Sequence, residues 1–223
     1  MRVLITGASG MVGHGVLLEC LDSQAISQVL LVNRKPLAIS HPKLEQLTLS
    51  DFTDFTSLQS QLNNLDAVFH CMGVSSMGLS EAEFHKLTFD ITQSLADAVH
   101  AVSPQAVVTY VSGEGTDSSE SGSSMWARVK GKTENYLLNK GFKDVYLFRA
   151  NAIIPERGVK SKTTWVNWVY WLTRPLFPLM RRRDSITTSR RLGHAMIQAV
   201  LQPQPLKHLE NRDINALARS YRG

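Results

Sequence analysis

The sequence predicts an α/β fold, a Rossmann-like doubly wound parallel sheet with helices on both faces and a small C-terminal substrate or lid region. Three observations predict it. An apolar strand at the start runs into glycines spaced three apart, Gly7, Gly10 and Gly13, ahead of the helix-compatible VLLECL. Short apolar runs then alternate with helical patterns, which is how a parallel sheet with crossover helices reads. Finally, 223 residues at 43% apolar and 19% charged suit one domain with a substantial core, so residues 1–223 are expected to form a single Rossmann-like domain.

Each element follows in order. The first strand delivers the chain to a tight turn at Gly7, the missing side chain at Gly10 lets backbone N–H groups approach a pyrophosphate, and Gly13 allows close helix packing. The helix N-terminus then faces phosphate charge. Surface turns also use glycine, but strand, triplet and helix in this order specify dinucleotide binding. Further strands read as VLLV at 29–32, LEQLTL at 44–49, DAVFHCMG at 66–73, AVVTYVS at 106–112 and DVYLFRANAII at 144–154. Ser80 to Glu83 has the spacing of a capping box opening a helix to about Val102, and Gly141 closes the helix that holds Lys130. Right-handed crossovers bring the strands' carboxyl ends to one edge, where such sheets bind ligands. The one low-complexity stretch is GEGTDSSESGSS, 113–124.

Composition excludes several classes. Only Cys20 and Cys71 occur, in no metal-ligand spacing, and the chain starts directly with its first strand; no metal and no signal peptide are expected, and the cytoplasm is the default compartment. One segment carries the net charge of +5: between residues 172 and 191, Arg174, Arg181, Arg182, Arg183, Arg190 and Arg191 stand against Asp184 alone. That is a local patch rather than a broad basic face or reading module, so no nucleic-acid partner is expected. The longest apolar stretch, Trp165 to Met180, is broken by Asn167, Arg174, Pro175 and Pro178 and does not read as a membrane span.

TGASGMVG, Asp51-Phe52 after the third strand, CMG after the fourth, Val111-Ser112 after the fifth, VKGKTE at 129–134 and FRANAIIP at 148–155 together resemble the atypical short-chain dehydrogenase/reductase superfamily, epimerase/dehydratase-like proteins included. The tail, GHAMIQAV then HLENRDINALA, is similar to its small Tat-interacting-protein-like and NmrA-like branch. The resemblance implies a pyrophosphate on Gly7 to Gly13, with Ser9 and the Met11 and Val12 amides as donors, and adenine near Asp51 and Phe52. It also implies that Cys71, Met72 and Gly73 line the adenosine and ribose and that Asn151, Ala152 and Ile153 pass the nicotinamide. Read from the residues alone, Cys71 is more often a buried core thiol, and Asp51 also reads as a cap for the next helix.

Cofactor choice turns on the end of the second strand, where NAD-dependent members place an acid for the ribose 2′-OH. This chain has Asn33-Arg34-Lys35. A carboxylate repels a 2′-phosphate, whereas a guanidinium offers it a bidentate fork and Lys35 a second cation. NADP(H) is therefore preferred, with NAD(H) as the alternative.

The resemblance also implies a catalytic Ser, Tyr and Lys, the Lys holding ribose hydroxyls and lowering the Tyr pKa so that the phenol passes a proton. Ser112 and Lys130 match; Trp126 stands at the Tyr position. An indole N–H donates a hydrogen bond but is no acid near neutral pH. A literal Tyr-x-x-x-Lys at Tyr136 and Lys140 is a decoy, because at 1.5 Å per helical residue Tyr136 lies roughly 15 Å beyond Trp126. Tyr136 is expected to pack its helix against the sheet. His85 and Glu114 are the substitute acids, each with a plain surface reading beside it.

After Pro155, Trp165, Trp168, Tyr170, Trp171, Leu172, Phe177 and Leu179 crowd a Pro-interrupted segment ending in arginines, so 156–191 reads as a lid or substrate region, a subunit contact or a peripheral membrane contact. The function expected is an oxidoreductase passing hydride from NADP(H) to an apolar or aromatic small-molecule acceptor, whether flavin, quinone or carbonyl, in a monomer or homodimer. A flavin or quinone needs no protein phenol. The alternatives are a non-catalytic NADP(H)-sensing partner protein and a nucleoside-diphosphate-sugar epimerase-like enzyme, for which no sugar-nucleotide motif is visible.

Overall fold

The computed structural model describes residues 1–159 and 183–223. Strands β1 (Arg2–Thr6), β2 (Gln28–Asn33), β3 (Leu44–Thr48), β4 (Ala67–His70), β5 (Val107–Gly113), β6 (Asp144–Ala150) and β9 (His208–Glu210) form one sheet in the order β3-β2-β1-β4-β5-β6-β9. Every neighbouring pair is parallel. The order reverses between β1 and β4, the switch point where ligands bind such sheets outside the carboxyl ends of the strands. The doubly wound α/β fold expected from the sequence is thus present.

Its strands are buried on both faces. On β1, Val3 and Ile5 join the core beneath α1 (Met11–Asp22), α5 (Ser189–Leu201) and α6 (Asn211–Ser220), while Leu4 between them points to the core beneath α3 (Ile91–Val102) and α4 (Met125–Asn139). That two-sided burial is why these strands read as continuous apolar runs rather than alternating ones. The capping box forms as expected: Ser80 and Glu83 exchange side-chain and backbone hydrogen bonds at the start of α2 (Glu81–His85). A π turn over Lys86–Asp90 joins α2 to α3, so the helical run does reach Val102.

One expectation changes. The run 144–154 is two strands, because it leaves the main sheet at Asn151, whose backbone N–H donates to Asn211 Oδ1 at 3.3 Å. Beyond that point β7 (Ala152–Ile154) pairs in parallel with β8 (Ile186–Thr188) in a separate small sheet. The low-complexity stretch 113–124 is ordered: Asp117 accepts from Ser119 and Gly122, and Asn135 of α4 donates to the Ser118 carbonyl at 2.9 Å.

The apolar residues of the expected lid, Trp165, Trp168, Tyr170, Trp171, Leu172, Phe177 and Leu179, lie outside the described residues, as do Arg174, Arg181 and Arg182. Among the described residues no helix is long and apolar enough to cross a membrane, and no group of three His, Cys, Asp or Glu side chains is placed to hold a metal ion.

Candidate nucleotide and active site

The glycine turn is built so that two of its glycines are filled by the protein and the third is not. Gly7 adopts φ +79°, and a Cβ there would stand 2.6 Å from the Cys71 carbonyl at the end of β4. A Cβ at Gly13 would stand 2.5 Å from the Gly7 oxygen. These two bring turn, helix and neighbouring strand together. At Gly10 the one close atom is the Gly7 oxygen, 3.3 Å away, leaving open space beside the first turn of α1. Gly10 is also the N-cap and supplies no side-chain cap, so the helix's first N–H groups face that space with their dipole. A pyrophosphate fits this cradle.

At the end of β2 the Asn33 side chain is 4% exposed and its Nδ2 has no hydrogen-bond partner. A buried amide with an unspent donor is costly unless something accepts from it. Arg34 and Lys35 follow on the surface, and no carboxylate stands between them and the strand end. The other adenosine-side residues divide. Gly73 is exposed and Met72 half-buried, whereas Phe52 packs edge-on against Phe55 at 5.4 Å within the core. Asp51 does not cap the next helical turn; its Oδ1 accepts from Thr53, and Asp54 makes the cap-like bond to Thr56 instead. Cys71 packs against the core, and burial pushes its thiol up to about 12. Asn151 and Ala152 are exposed at the strand end, and Ile153 is half-buried.

Ser112, Trp126 and Lys130 meet at the carboxyl end of β5. The Ser112 Oγ lies 3.0 Å from Thr116 Oγ1, which donates to the Gly113 carbonyl at 2.7 Å. The Trp126 ring covers the turn after the strand: a methyl at Gly115 would touch it at 3.5 Å and one at Gly113 at 3.8 Å. Lys130 sits one helical turn further along the same face of α4, its Nζ 5.5 Å from the centre of the Tyr110 ring. No hydrogen bond or ion pair ties that ammonium among the described residues, and burial lowers its proton affinity to a pKa of about 8 although Glu134 opposes the shift.

Beneath Lys130 is a polar row that sequence reasoning missed. Register aligns Thr6 of β1, His70 of β4 and Tyr110 of β5. His70 Nδ1 lies 2.6 Å from Thr6 Oγ1 and Nε2 2.9 Å from Thr92 Oγ1, and its ring stacks on Tyr110 at 5.3 Å. Burial drives His70 down to about 3, so it is neutral at any working pH. The available signal was a polar or phenolic residue near the end of three successive inner strands, which becomes a row only once the register is known.

The decoy pair is elsewhere. Tyr136 Oη and Lys140 Nζ both hydrogen-bond Asp97 of α3, and the Tyr136 ring meets Phe89 at 5.5 Å. Tyr136 thus fastens α4 to α3 as well as to the core. Of the substitute acids, His85 Nδ1 pairs with Asp90 at 3.0 Å and its Nε2 lies 3.0 Å from Lys132 Nζ, while Glu114 is exposed.

Residues 3–140 match the family model described as NAD dependent epimerase/dehydratase family. The chain belongs to that family. It is therefore an NAD(P)-dependent enzyme of the short-chain dehydrogenase/reductase type, built on a Rossmann fold. It is 27% identical over 191 residues to Protein FMP52, mitochondrial, of Candida albicans, covering 80% of this chain and 82% of that protein. Among solved structures, glucuronic acid dehydrogenase from Chromohalobacter salexigens superposes with TM-score 0.65 at 16% identity, over 91% of this chain and 73% of the other. MoeE5 in complex with UDP-glucuronic acid and NAD superposes with TM-score 0.65 at 18% identity, over 93% and 75%. The expected cytoplasmic location is overturned by the fungal relatives, which are named as mitochondrial proteins.

Proposed function

We propose that the protein is an NADP(H)-dependent oxidoreductase that reduces an apolar or aromatic acceptor, a quinone, flavin or carbonyl compound, at the carboxyl ends of β4, β5 and β6. The observation that carries the cofactor choice is the end of β2: a buried Asn33 amide with an unspent donor, followed by exposed Arg34 and Lys35 and no acid. An acid there would accept from a ribose 2′-OH; donors and cations suit a 2′-phosphate. Gly7 to Gly13 with Ser9, Met11 and Val12 hold the pyrophosphate. Asp51, Phe52, Cys71, Met72 and Gly73 border the adenosine side, and Asn151 to Ile153 border the nicotinamide. When bound, the reduced nicotinamide supplies a hydride. Lys130 keeps its unpaired donors for the ribose, Ser112 offers a hydroxyl to the acceptor, and Trp126 forms an apolar wall that excludes water.

The test compares NADPH and NADH binding in the wild type and in Arg34→Ala. NADPH should weaken by about 1–3 kcal/mol, as expected for a lost charge-assisted contact, with little change for NADH. Equal losses for both cofactors would sink the 2′-phosphate assignment. NADPH oxidation with a panel of flavins, quinones and aldehydes then tests the enzyme class. Tight binding without turnover on any of them would favour a cofactor-sensing protein.

A further inference from the structure

Resting on that reading, we infer that Lys130 is itself the group that passes the proton to the acceptor oxygen, the indole of Trp126 having removed the phenol that would otherwise stand between them. The geometry is specific. Trp126 and Lys130 lie one turn apart on α4, and the indole closes over the Gly113–Gly115 turn with its hydrocarbon edge. An ammonium carries three donors, and an indole carries no acceptor to engage any of them. Lys130 spends none of the three on a hydrogen bond or ion pair among the described residues. Two ribose hydroxyls would leave one N–H for the acceptor oxygen.

Four buried groups at this edge are unsuited to the task. His70 from β4 stays neutral, Cys71 after β4 is pushed up to about 12, and Tyr110 from β5 is raised further by burial and by Glu134. Glu134 from α4, one turn past Lys130, is fully buried and bound in a fork to Arg149 of β6. Burial brings Lys130 toward neutrality, where a general acid works best. The step balances. As a hydride from a reduced nicotinamide forms the new C–H bond at the acceptor carbonyl carbon, the π pair moves to oxygen, the oxygen takes a proton from Lys130 to give the alcohol, and the neutral amine recovers a proton from water.

His70 and Tyr110 are positioning residues in this scheme. The stacked rings form a dry floor that holds Nζ at the strand end and lowers its proton affinity by desolvation.

The experiment joins a ¹⁵N NMR titration of the Lys130 side chain in the cofactor-free protein to NADPH binding and turnover of Lys130→Arg, with 4-nitrobenzaldehyde and phenanthrenequinone as probes. Arginine keeps cationic donors for the ribose but cannot give up a proton. The Lys130 amine should titrate at about 8. In Lys130→Arg, NADPH should still bind within roughly tenfold of wild type while aldehyde turnover falls by about 100-fold or more. Quinone turnover should fall far less, because a quinol anion is a much weaker base than an alkoxide. Wild-type aldehyde reduction should decline as pH rises through the Lys130 transition. Lys130→Gln, smaller over Tyr110, should behave alike if the arginine variant is unstable. A Lys130 titration in the ordinary lysine range would overturn the inference. So would equal losses for aldehyde and quinone, or a wild type that binds NADPH and reduces quinone alone; that last result leaves the proposed function standing. A wild type that binds neither NADPH nor NADH overturns the proposed function instead.

Discussion

Helix α4 carries two aromatic–lysine pairs with the same spacing, Trp126–Lys130 and Tyr136–Lys140, and they lie in opposite settings. The first faces the carboxyl end of β5, over Tyr110, with its ammonium unpaired among the described residues. The second has both its phenol and its ammonium on Asp97, a half-exposed residue of a neighbouring helix. Ten residues at about 100° each turn the second pair well away from the first, and about 15 Å of helix separates them. Spacing alone therefore identifies an i, i+4 pair on a helix; what the pair faces is decided by the sheet beneath. The pair that matches the usual motif is a surface fastening, and the pair that departs from it lies at the carboxyl end of β5.

The contrast breaks most visibly at the buried carboxylate between the two pairs, Glu134. Glu134 is fully buried and forked to Arg149, which also donates to Ser118 of the ordered 113–124 stretch. Glu134→Ala leaves that guanidinium without its counter-ion and should cost about 3–5 kcal/mol in urea unfolding. Loss of less than about 1 kcal/mol would mean that Arg149 finds solvent easily.

Next in size is Lys130→Ala, which should weaken NADPH binding by roughly 1.5–3 kcal/mol if the ammonium holds ribose hydroxyls, whereas Trp126→Ala should leave binding nearly unchanged. Titration calorimetry on both variants checks this, and a Trp126→Ala loss as large as that of Lys130→Ala would remove the distinction between wall and ligand.

The floor under Lys130 can be probed through pH. His70 is depressed from the ordinary 6.5 to about 3 in the fold, so the unfolded chain takes up a proton on acidification before the folded one does. Its contribution to stability is complete above the ordinary value and falls as pH drops toward the folded value; between pH 7.5 and 5 the loss is about 2 kcal/mol. His208, also lowered by burial, acts in the same direction. His70→Gln should flatten most of that slope in urea midpoints measured across the range. An unchanged slope would place the acid sensitivity elsewhere.

The smallest effect belongs to the decoy. Tyr136→Phe removes one bond to a half-exposed carboxylate and should cost no more than about 1 kcal/mol, with turnover and NADPH binding unaltered. A large activity loss at unchanged thermal stability would falsify the assignment of the two pairs and make Tyr136 the acid.

Much of the nucleotide end was legible in the chain because it is local. Gly7, Gly10 and Gly13 fall within seven consecutive residues, and the steric demands that select them arise between a turn and the helix it opens. The missing acid after β2 is likewise a matter of reading three consecutive residues. The seventh strand of the sheet was not legible: His208–Glu210 is three residues long, too short for any periodicity to show. Nor was the break at Asn151, since it depends on an acceptor sixty residues away on α6.

By itself the sequence determined the parallel Rossmann sheet, the glycine cradle and the place of Ser112, Trp126 and Lys130, because apolar runs, glycine spacing and capping act within one element and its neighbour. The tertiary structure alone decided that Thr6, His70 and Tyr110 form a row and that this row lies under Lys130 while Asp97 lies beside Lys140. Those facts set the charge and proton affinity of each lysine. They follow from strand register and helix docking, which bring together residues a hundred positions apart, and from the burial that makes an unpaired ammonium easier to deprotonate than one held by a carboxylate.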